Sequence, residues 1–488
     1  MAKIRKLDDI VSLCKRRGFI FQSSEIYGGL ASCYDYGPLG VELKRNVRNA
    51  WWKRMVQMRD DVVGLDCSIL MHPMVWKASG HADKFADVVT VCRKCNTRSR
   101  VDHLVDDGGE HTTHIKPEAA MAEAGELGRK VCPACGAVGQ FTEPMAFRLM
   151  FETQMGANVD DTMTLFLRPE TAQGIFVNFR NVLDSTRVKI PFGIAQIGKS
   201  FRNEVTTKAF IFRTREFEQA ELEFFCAPGT DEEWYEYWKA ERFAWYTDLG
   251  IRKENLRLRE HEKEELAHYA KGCVDVEYRF PFGSGDWQEL EGIANRTDFD
   301  LRQHQRGIRT MNDWYEAGRD LTKITLKEED PDYQKGPLSY FDDETKERYV
   351  PYVIEPSAGI DRSTLAFLVD AYDEEEVRGE TRNLLRFHAD LAPVKAAIFP
   401  LVKKDGMPEI ARKIYDDLKS RFSCFYDEKG AVGRRYRRQD EAGTPFCVTV
   451  DGQTKEDGTV TVRDRDSMEQ VRVAADHVRA YLSERLGM

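Results

Sequence analysis

Apolar positions along the chain follow two periods, and these divide it into blocks. Residues 41–55 set Leu43, Val47, Trp51 and Met55 four apart, between Lys44, Arg45, Arg48, Lys53 and Arg54, which predicts an amphipathic helix. Gly37-Pro38-Leu39-Gly40 ahead of it is a turn signal. Asp61 to Pro73 behind it reads as a strand closed by a proline. From about 162 to 225 short apolar runs alternate with turns: Thr164–Leu167, Ile194–Ile197, Phe210–Phe212 and Glu221–Phe225. They predict strands of a mainly antiparallel sheet. Residues 230–270 are highly charged, yet place Trp234, Tyr235, Trp238, Phe243 and Trp245 at helical spacing, as in a packed helical layer. Residues 303–350 read as a polar insertion.

The pattern changes after Leu391-Ala392-Pro393. Ala396–Leu401 predicts a strand, and Ile410, Ile414, Leu418 and Phe422 form the stripe of a helix. Cys424–Tyr426, Phe446–Val450 and Thr459–Val462 predict further strands. Ser467–Leu486 predicts a closing helix with Ser467 and Gln470 as a capping box. This βαβαββα order implies a separate α/β domain with a mixed sheet.

Composition narrows the class. A chain of 488 residues suggests about three domains, and it buries a large core without disulfides. Lys plus Arg is 72 against 82 Asp plus Glu, a net charge of −10. That excludes a wholly basic nucleic-acid coat protein, but leaves room for a local basic patch that binds phosphate. The 11 cysteines are odd in number and widely spread, unlike a secreted disulfide framework. The segment Met1–Arg17 lacks the apolar core of a signal peptide, and no run approaches the length of a membrane span. The expectation is a cytoplasmic protein with reduced thiols.

Residues 92–140 differ from their surroundings. Cys92-Arg93-Lys94-Cys95 and Cys132-Pro133-Ala134-Cys135 are two C-x₂-C knuckles. Each lets two thiolates reach one ion, and two knuckles together close a tetrahedral site, so a structural Zn²⁺ is expected. His103, His111 and His114 lie between them as alternative ligands. The other seven cysteines read as small buried hydrophobes.

Three further segments point to a nucleotide. The first is the helix at 41–55 with the strand behind it. The second is Phe201-Arg202-Asn203-Glu204, a short loop, and Phe212-Arg213-Thr214-Arg215-Glu216-Phe217. Two strands here would put Arg202 and Glu204 on one face, and an arginine can fork onto phosphate or carboxylate oxygens. The third is Gly359-Ile360-Asp361-Arg362, leading into the helical run Leu365–Ala371. In this order the three resemble the motifs of class II aminoacyl-tRNA synthetases, and most closely the dimeric glycyl-tRNA synthetases. Arg168-Pro169-Glu170-Thr171-Ala172-Gln173-Gly174, Arg215-Glu216-Phe217-Glu218-Gln219-Ala220-Glu221, Glu289-Leu290-Glu291-Gly292-Ile293-Ala294-Asn295-Arg296 and Glu355-Pro356-Ser357-Ala358-Gly359-Ile360-Asp361-Arg362 carry the finer likeness, which runs from about Gly18 to the C-terminus.

The resemblance implies an α+β catalytic domain with a mainly antiparallel sheet (1–91 and 141–390, the 303–350 insertion included). It also implies a Cys₄ zinc insertion (92–140) and a C-terminal α/β anticodon-binding domain with a mixed sheet (391–488). It implies a homodimer that uses ATP, glycine and tRNA(Gly). Arg202 would hold the α-phosphate and the amino-acid carboxylate, and Arg362 the γ-phosphate; these two are the expected catalytic residues. Glu204 would read the adenine amino group, Phe212 or Phe217 would stack on the ring, and Glu289 with the backbone of Leu290 would lie by the nucleotide and a Mg²⁺. Asn203, Arg213, Arg215, Glu216, Gly359, Ile360 and Asp361 would complete the ATP side. Glu170, Glu221, Glu355 and Ser357 would line the glycine pocket with Phe217, Glu218, Gln219 and Arg296, and Arg100 would reach toward substrate. Asp361 stands where the class usually has Glu, and Lys208 where an arginine is common.

Gly433-Arg434-Arg435-Tyr436-Arg437-Arg438 packs four arginines and a tyrosine, suited to phosphates and an unpaired base. Two other readings compete: a different class IIa synthetase, and a non-catalytic paralogue that binds nucleic acid. The second would have lost the ATP arginines, which all stand here.

Overall fold

The computed structural model describes residues 7–488 except 102–103, 105–126, 157–162, 206–208, 264, 268–269 and 283–286. His103, His111, His114 and Lys208 therefore lie outside the described residues.

The largest sheet has seven strands: β1 (Val62–Gly64), β2 (Phe192–Phe201), β3 (Glu216–Cys226), β4 (Leu256–Glu260), β5 (Gly272–Arg279), β6 (Trp287–Thr297) and β7 (Tyr352–Gly359). Their spatial order is β4-β5-β6-β7-β3-β2-β1, antiparallel throughout except for β1 beside β2. Helices cover both faces, which explains why the central strands are not simple apolar–polar alternations. On one face Ala220, Leu222 and Phe224 of β3 pack in a core with α1 (Pro38–Trp52), α3 (Asp231–Asp248) and α5 (Ile360–Ala371). On the other, Phe225 packs with α2 (Ala172–Thr186) and Leu301 of α4 (Phe299–Glu316). Between these layers β3 is buried from Glu218 to Cys226, carboxylates included.

The helix expected at 41–55 forms with Leu43, Val47, Trp51 and Met55 fully buried. It starts earlier, with Pro38 at its first position where no N–H is needed, and widens into a π turn over Lys53–Gln57. Other expectations are corrected. The strand of Asp61–Pro73 is only Val62–Gly64, and Pro73 opens a short helix instead of ending a strand, because His72 caps it by accepting from the Met74 amide (3.2 Å). Phe210–Phe212 is a 3₁₀ turn entered through left-handed Ala209 and Phe210, whose backbone leaves strand geometry. Strand β2 stops at Phe201, so Arg202 and Glu204 stand on the loop after it and not on a strand. The aromatic helix ends at Asp248, and the rest of 230–270 includes strand β4. The supposed polar insertion at 303–350 begins inside α4, whose Leu301, His304, Gln305 and Trp314 are buried.

The C-terminal unit is a five-stranded mixed sheet of β8 (Ala396–Pro400), β9 (Cys424–Tyr426), β10 (Phe446–Val450), β11 (Thr459–Asp464) and β12 (Gln470–Ala474), ordered β9-β8-β10-β11-β12. Strand β8 pairs in parallel with β9 and β10, and the rest is antiparallel. Helices α6 (Met407–Leu418), α7 (Val432–Ala442) and α8 (Val478–Leu486) accompany it. The helix expected over Ser467–Leu486 splits, since Gln470–Ala474 pairs as an edge strand. Ser467 caps nothing helical there: its Oγ accepts from the Glu469 amide in the turn before that strand. A hairpin over Tyr372–Val377 and Glu380–Leu385 ties α5 to this unit. Its Arg382, fully buried, gives Nε to Asp440 of α7 (2.8 Å) and Nη2 to the Arg465 carbonyl (2.6 Å), and Arg463 shares the Asp440 carboxylate. Among the described residues no helix is long and apolar enough to cross a membrane.

Candidate active site

An open cleft of about 890 Å³ lies over β3, β6 and β7. Its floor follows from the two-residue period of β3, which sends Phe217, Gln219, Glu221 and Glu223 to the α2/α4 face. Glu221 accepts from Thr171 Oγ1, from Ser357 Oγ (2.8 Å) and from Gln219 Nε2 (3.1 Å). Glu170 accepts from Gln173 Nε2 (2.9 Å) and lies 3.3 Å from His81 Nε2. Arg296, 4% exposed, bridges Glu355 (2.8 Å) and both oxygens of Asp300 (2.7 and 2.9 Å). Four buried or half-buried carboxylates thus converge around one guanidinium that is already bidentate to one of them.

Burial and mutual repulsion act on this cluster. Burial raises the Glu221 carboxyl, with Glu170 adding to it against the bonds from Thr171 and Ser357. Burial pushes Glu355 up to about 8 against the pull of Arg296, with Glu221 and Glu170 reinforcing burial. Burial also works to raise Glu170, but His81, Arg296 and Gln173 outweigh it and hold that group well below the usual carboxylate range. The pocket is short of positive charge, and a cation entering it relieves the imbalance.

The other half of the cleft is cationic and aromatic. Arg202 gives Nε to the Pro169 carbonyl (3.0 Å), with its guanidinium carbon 5.5 Å from the Phe85 ring centre and 5.4 Å from that of Phe217. Arg168 below it is buried, bonding the carbonyls of Lys199 (2.7 Å) and Cys67 (2.8 Å). Only glycine fits at 198 beside it, since a Cβ there would meet Arg168 Nη2 at 2.1 Å. Arg362, at the start of α5, gives Nε to the Phe212 carbonyl (3.2 Å) and Nη1 to Glu289 (3.0 Å), and lies 4.6 Å over the Phe212 ring. Phe212 is further enclosed by Phe280 and Phe282, so Phe217 is the more open of the two rings proposed for stacking. Glu204, Arg213, Leu290 and Gly359 complete this wall.

Several expected residues do not face the cleft. The Ile360 side chain is fully buried in the core. Glu216 is exposed in an ion pair with Lys199. Arg215 is spent on the carbonyls of Ala31 (2.7 Å) and Glu204 (3.4 Å), and Asn203, whose backbone N–H donates to the Leu149 carbonyl (2.7 Å), is not among the lining residues. Arg100 lies 3.5 Å from Asp87, outside the lining. Glu218 borders the cleft, but its carboxylate turns to α1, where Lys44 (3.0 Å) and Arg48 (3.4 Å) meet it. Asp361 likewise accepts from Lys44 (2.7 Å) and Tyr36 (2.5 Å) at one oxygen and from the Glu218 amide (2.7 Å) at the other, and so braces β3 at the edge of the cleft. Sequence reading missed Lys44, Tyr36, His81, Asp300 and Glu223. Glu223 alone had a local signal, the alternation Gln219, Glu221, Glu223.

The four cysteines of the knuckles meet. Cys92 and Cys135 sulfurs are 3.7 Å apart, Cys95 and Cys132 3.6 Å, and all four lie within 4.8 Å of one another. The knuckles share one backbone design: Asn96 donates to the Cys92 carbonyl and Gly136 to that of Cys132, each in a left-handed conformation. Of the remaining seven, Cys14, Cys226 and Cys447 are buried, while Cys33, Cys67, Cys273 and Cys424 are only partly so.

Residues 395–485 match the anticodon binding domain family. The whole chain is similar to the glycine–tRNA ligase of Thermobifida fusca, 53% identical over 491 residues that cover 99% of both chains. It is also similar to those of Caldanaerobacter subterraneus subsp. tengcongensis, 53% identical over 98% of both, and Rhodopirellula baltica, 48% identical over 98% of this chain and 99% of the relative. The chain belongs to the glycine–tRNA ligase family.

Within this glycine–tRNA ligase family member the basic run on α7 divides. Arg435, 2% exposed, bonds the carbonyls of Pro400 (2.7 Å), Leu401 (3.1 Å) and Asp427 (3.0 Å). Tyr436 bonds Thr449 (2.6 Å) beneath Arg463, and Arg438 pairs with Asp427. These three are engaged within the fold, although Arg438 stays partly exposed; Arg434 is exposed and Arg437 partly so.

The Asp361 brace carries a pH signature. Burial opposes its ionisation, yet Lys44, Tyr36 and the Glu218 amide hold the carboxyl below its usual value. A depressed carboxyl stabilises the fold above its unfolded pKa and loses that contribution as pH falls through the folded one. Asp361→Asn is expected to cost about 1.5–3 kcal/mol at pH 7. The gap to wild type should close as pH falls below about 4. Denaturant unfolding across pH checks this; a gap that stays constant with pH contradicts it.

Proposed function

We propose that this chain is a glycine–tRNA ligase that activates glycine with ATP and transfers the glycyl group to the 3′ end of tRNA(Gly), releasing pyrophosphate and AMP. The observation that carries the reading is the junction of two unlike half-sites: buried carboxylates short of a cation beside an arginine and aromatic wall. The first half suits an amine and the second a triphosphate.

The chemistry follows from charge. The attacking glycine carboxylate is ionised at neutral pH, so no general base is needed, and the barrier yields to alignment and charge stabilisation. In this reading Glu170, Glu221, Ser357 and Glu355 hold the ammonium. Arg202, fixed to the Pro169 carbonyl and flanked by Phe217, holds the carboxylate against the α-phosphate. Arg362, already anchored by Phe212 and Glu289, meets the γ-phosphate. The Glu289 carboxylate, which lines the cleft and is about half exposed, suits a Mg²⁺; that ion would offset phosphate charge. Gln219 and the hydroxyls of Thr171 and Ser357 surround Glu221 at this end, and a pocket closed to a methyl group there would reject alanine. Selection of the smallest amino acid by exclusion needs no editing.

Pyrophosphate exchange into ATP tests the reading: it is expected with glycine, and no exchange with glycine, or equal exchange with alanine or serine, contradicts it. Glu221→Gln is expected to raise the glycine KM about ten- to a hundredfold with a far smaller change for ATP.

A structural Zn²⁺ belongs to the same reading. Zn–S bonds of about 2.3 Å give a tetrahedron with edges near 3.8 Å, and the sulfur pairs at 3.6 and 3.7 Å fit it. Cys92, Cys95, Cys132 and Cys135 would hold the ion and so fold residues 92–140 as an insertion within 1–390. Metal analysis is expected to find one zinc per chain, and well under one rejects it. For the anticodon we assign the unit from 391, with Arg434, Arg437 and the loops after the parallel strands as its contact surface. A homodimer joined through the segment of the first motif completes the picture. Ile26, Tyr27 and Leu30, exposed just ahead of α1, offer it apolar surface, and a monomer in sedimentation at micromolar concentration rejects it. A cytoplasmic setting suits the unpaired thiols, and cell fractionation checks it.

A further inference from the structure

One carboxyl of the floor has no role in the scheme above. Glu223 is fully buried on β3, and among the described residues neither of its oxygens has a hydrogen-bond partner. The register Glu221↔Ser357 and Phe224↔Ile354 sets it directly opposite Glu355 on the neighbouring strand. Both side chains point to the same face, at a separation where like charges repel. On its other side Glu223 faces Ile194 of β2, which offers no charge. The charged groups around it are Glu355 from β7, Glu221 from its own strand, Arg296 from β6 and Asp300 from α4. The one cation among them is committed, with Arg296 bonded to Glu355 and twice to Asp300. His304 of α4 bonds Gln173, and burial drives it toward the neutral form.

An ionised Glu223 would be a buried charge with no counter-ion and a like charge across the strand pair, an arrangement that protein interiors avoid by keeping the proton. We propose that Glu223 stands as a neutral carboxylic acid and a positioning residue, whose O–H is directed to Glu355 and holds that group, ionised once the amine arrives, toward the ligand. Burial, with Glu355 next, raises the group well above the usual carboxylate range, consistent with this geometry. Glu355 then receives two donors from behind, the Arg296 guanidinium and the Glu223 hydroxyl, and keeps its remaining lone pairs for the ligand. The count also matters: a neutral Glu223 spares the pocket one more negative charge than a single amine can offset. The inference deepens the glycine-site reading and rests on it only for the identity of the amine.

Infrared difference spectra and exchange kinetics test it on the intact protein. Wild type minus E223Q, without substrate at pH 7, is expected to show the carbonyl stretch of one protonated carboxyl; its absence overturns the proposal whatever the substrate proves to be. In glycine-dependent pyrophosphate exchange, E223L, which has neither donor nor charge, is expected to raise the glycine KM about tenfold. The ATP KM should move less than kinetic error allows one to interpret. E223Q, neutral and still a donor, is expected to recover most of that loss. E223Q as impaired as E223L means that a charge is required, and E223L equal to wild type means that the residue positions nothing; either result overturns the proposal. If E223L does not fold, a tenfold rise in glycine KM for E223Q alone does so. Failure of wild type to exchange with glycine sinks the functional reading, while the infrared band still decides this one.

Discussion

The structure turns on charge buried without enough countercharge. Glu170, Glu221, Glu355 and Asp300 share one sheet face with Arg296 as the guanidinium bonded among them. Taking a carboxylate out of water costs several kcal/mol unless partners repay it. Here the repayment is partial: hydroxyls and amides reach Glu221, His81 and Gln173 reach Glu170, and Glu355 is left high. A site that leaves electrostatic work undone before its ligand arrives has its specificity written into that deficit.

The rest of the fold reads as support for this face. Helix α1 supplies Lys44, which seizes Asp361 and Glu218 on the opposite side of β3 and so fixes the strand whose odd positions form the floor. Helix α5 begins at the end of β7, which brings Arg362 to the cleft mouth within two turns of the core. From α5 the chain passes directly into the hairpin whose Arg382 is locked to Asp440 of α7. The C-terminal unit is thus tied through buried ion pairs to the hairpin that follows the helix carrying Arg362.

What was legible in the sequence was whatever depends on neighbours close along the chain. The stripe of Leu43, Val47, Trp51 and Met55 needs only helical period, and the C-x₂-C knuckles need only a turn. The carboxylates of β3 came only through the resemblance, and Glu223, two residues past Glu221 on the same alternation, was missed. Illegible were roles assigned by distant partners. Lys44 looked like one basic residue among several on a helix, and its purpose depends on Asp361, 317 residues away. Arg435 and Tyr436 belonged to an inviting basic run, until strand-end carbonyls of β8 and the Thr449 hydroxyl claimed them. Pro73 was misjudged because a proline ends a strand and starts a helix with equal ease. Ser467–Leu486 failed because an edge strand with Val471 and Val473 on it has too little burial to stamp a clear period.

The central claim is that the buried carboxylates are built for an amine. Thermal unfolding with glycine and with glycolate, which keeps the carboxylate and replaces the amine by a hydroxyl, isolates that group. Mass action raises stability in proportion to the logarithm of ligand concentration once sites fill. Glycine is expected to raise the unfolding temperature in that way while glycolate at equal concentration leaves it unmoved; equal stabilisation by the two would contradict the account.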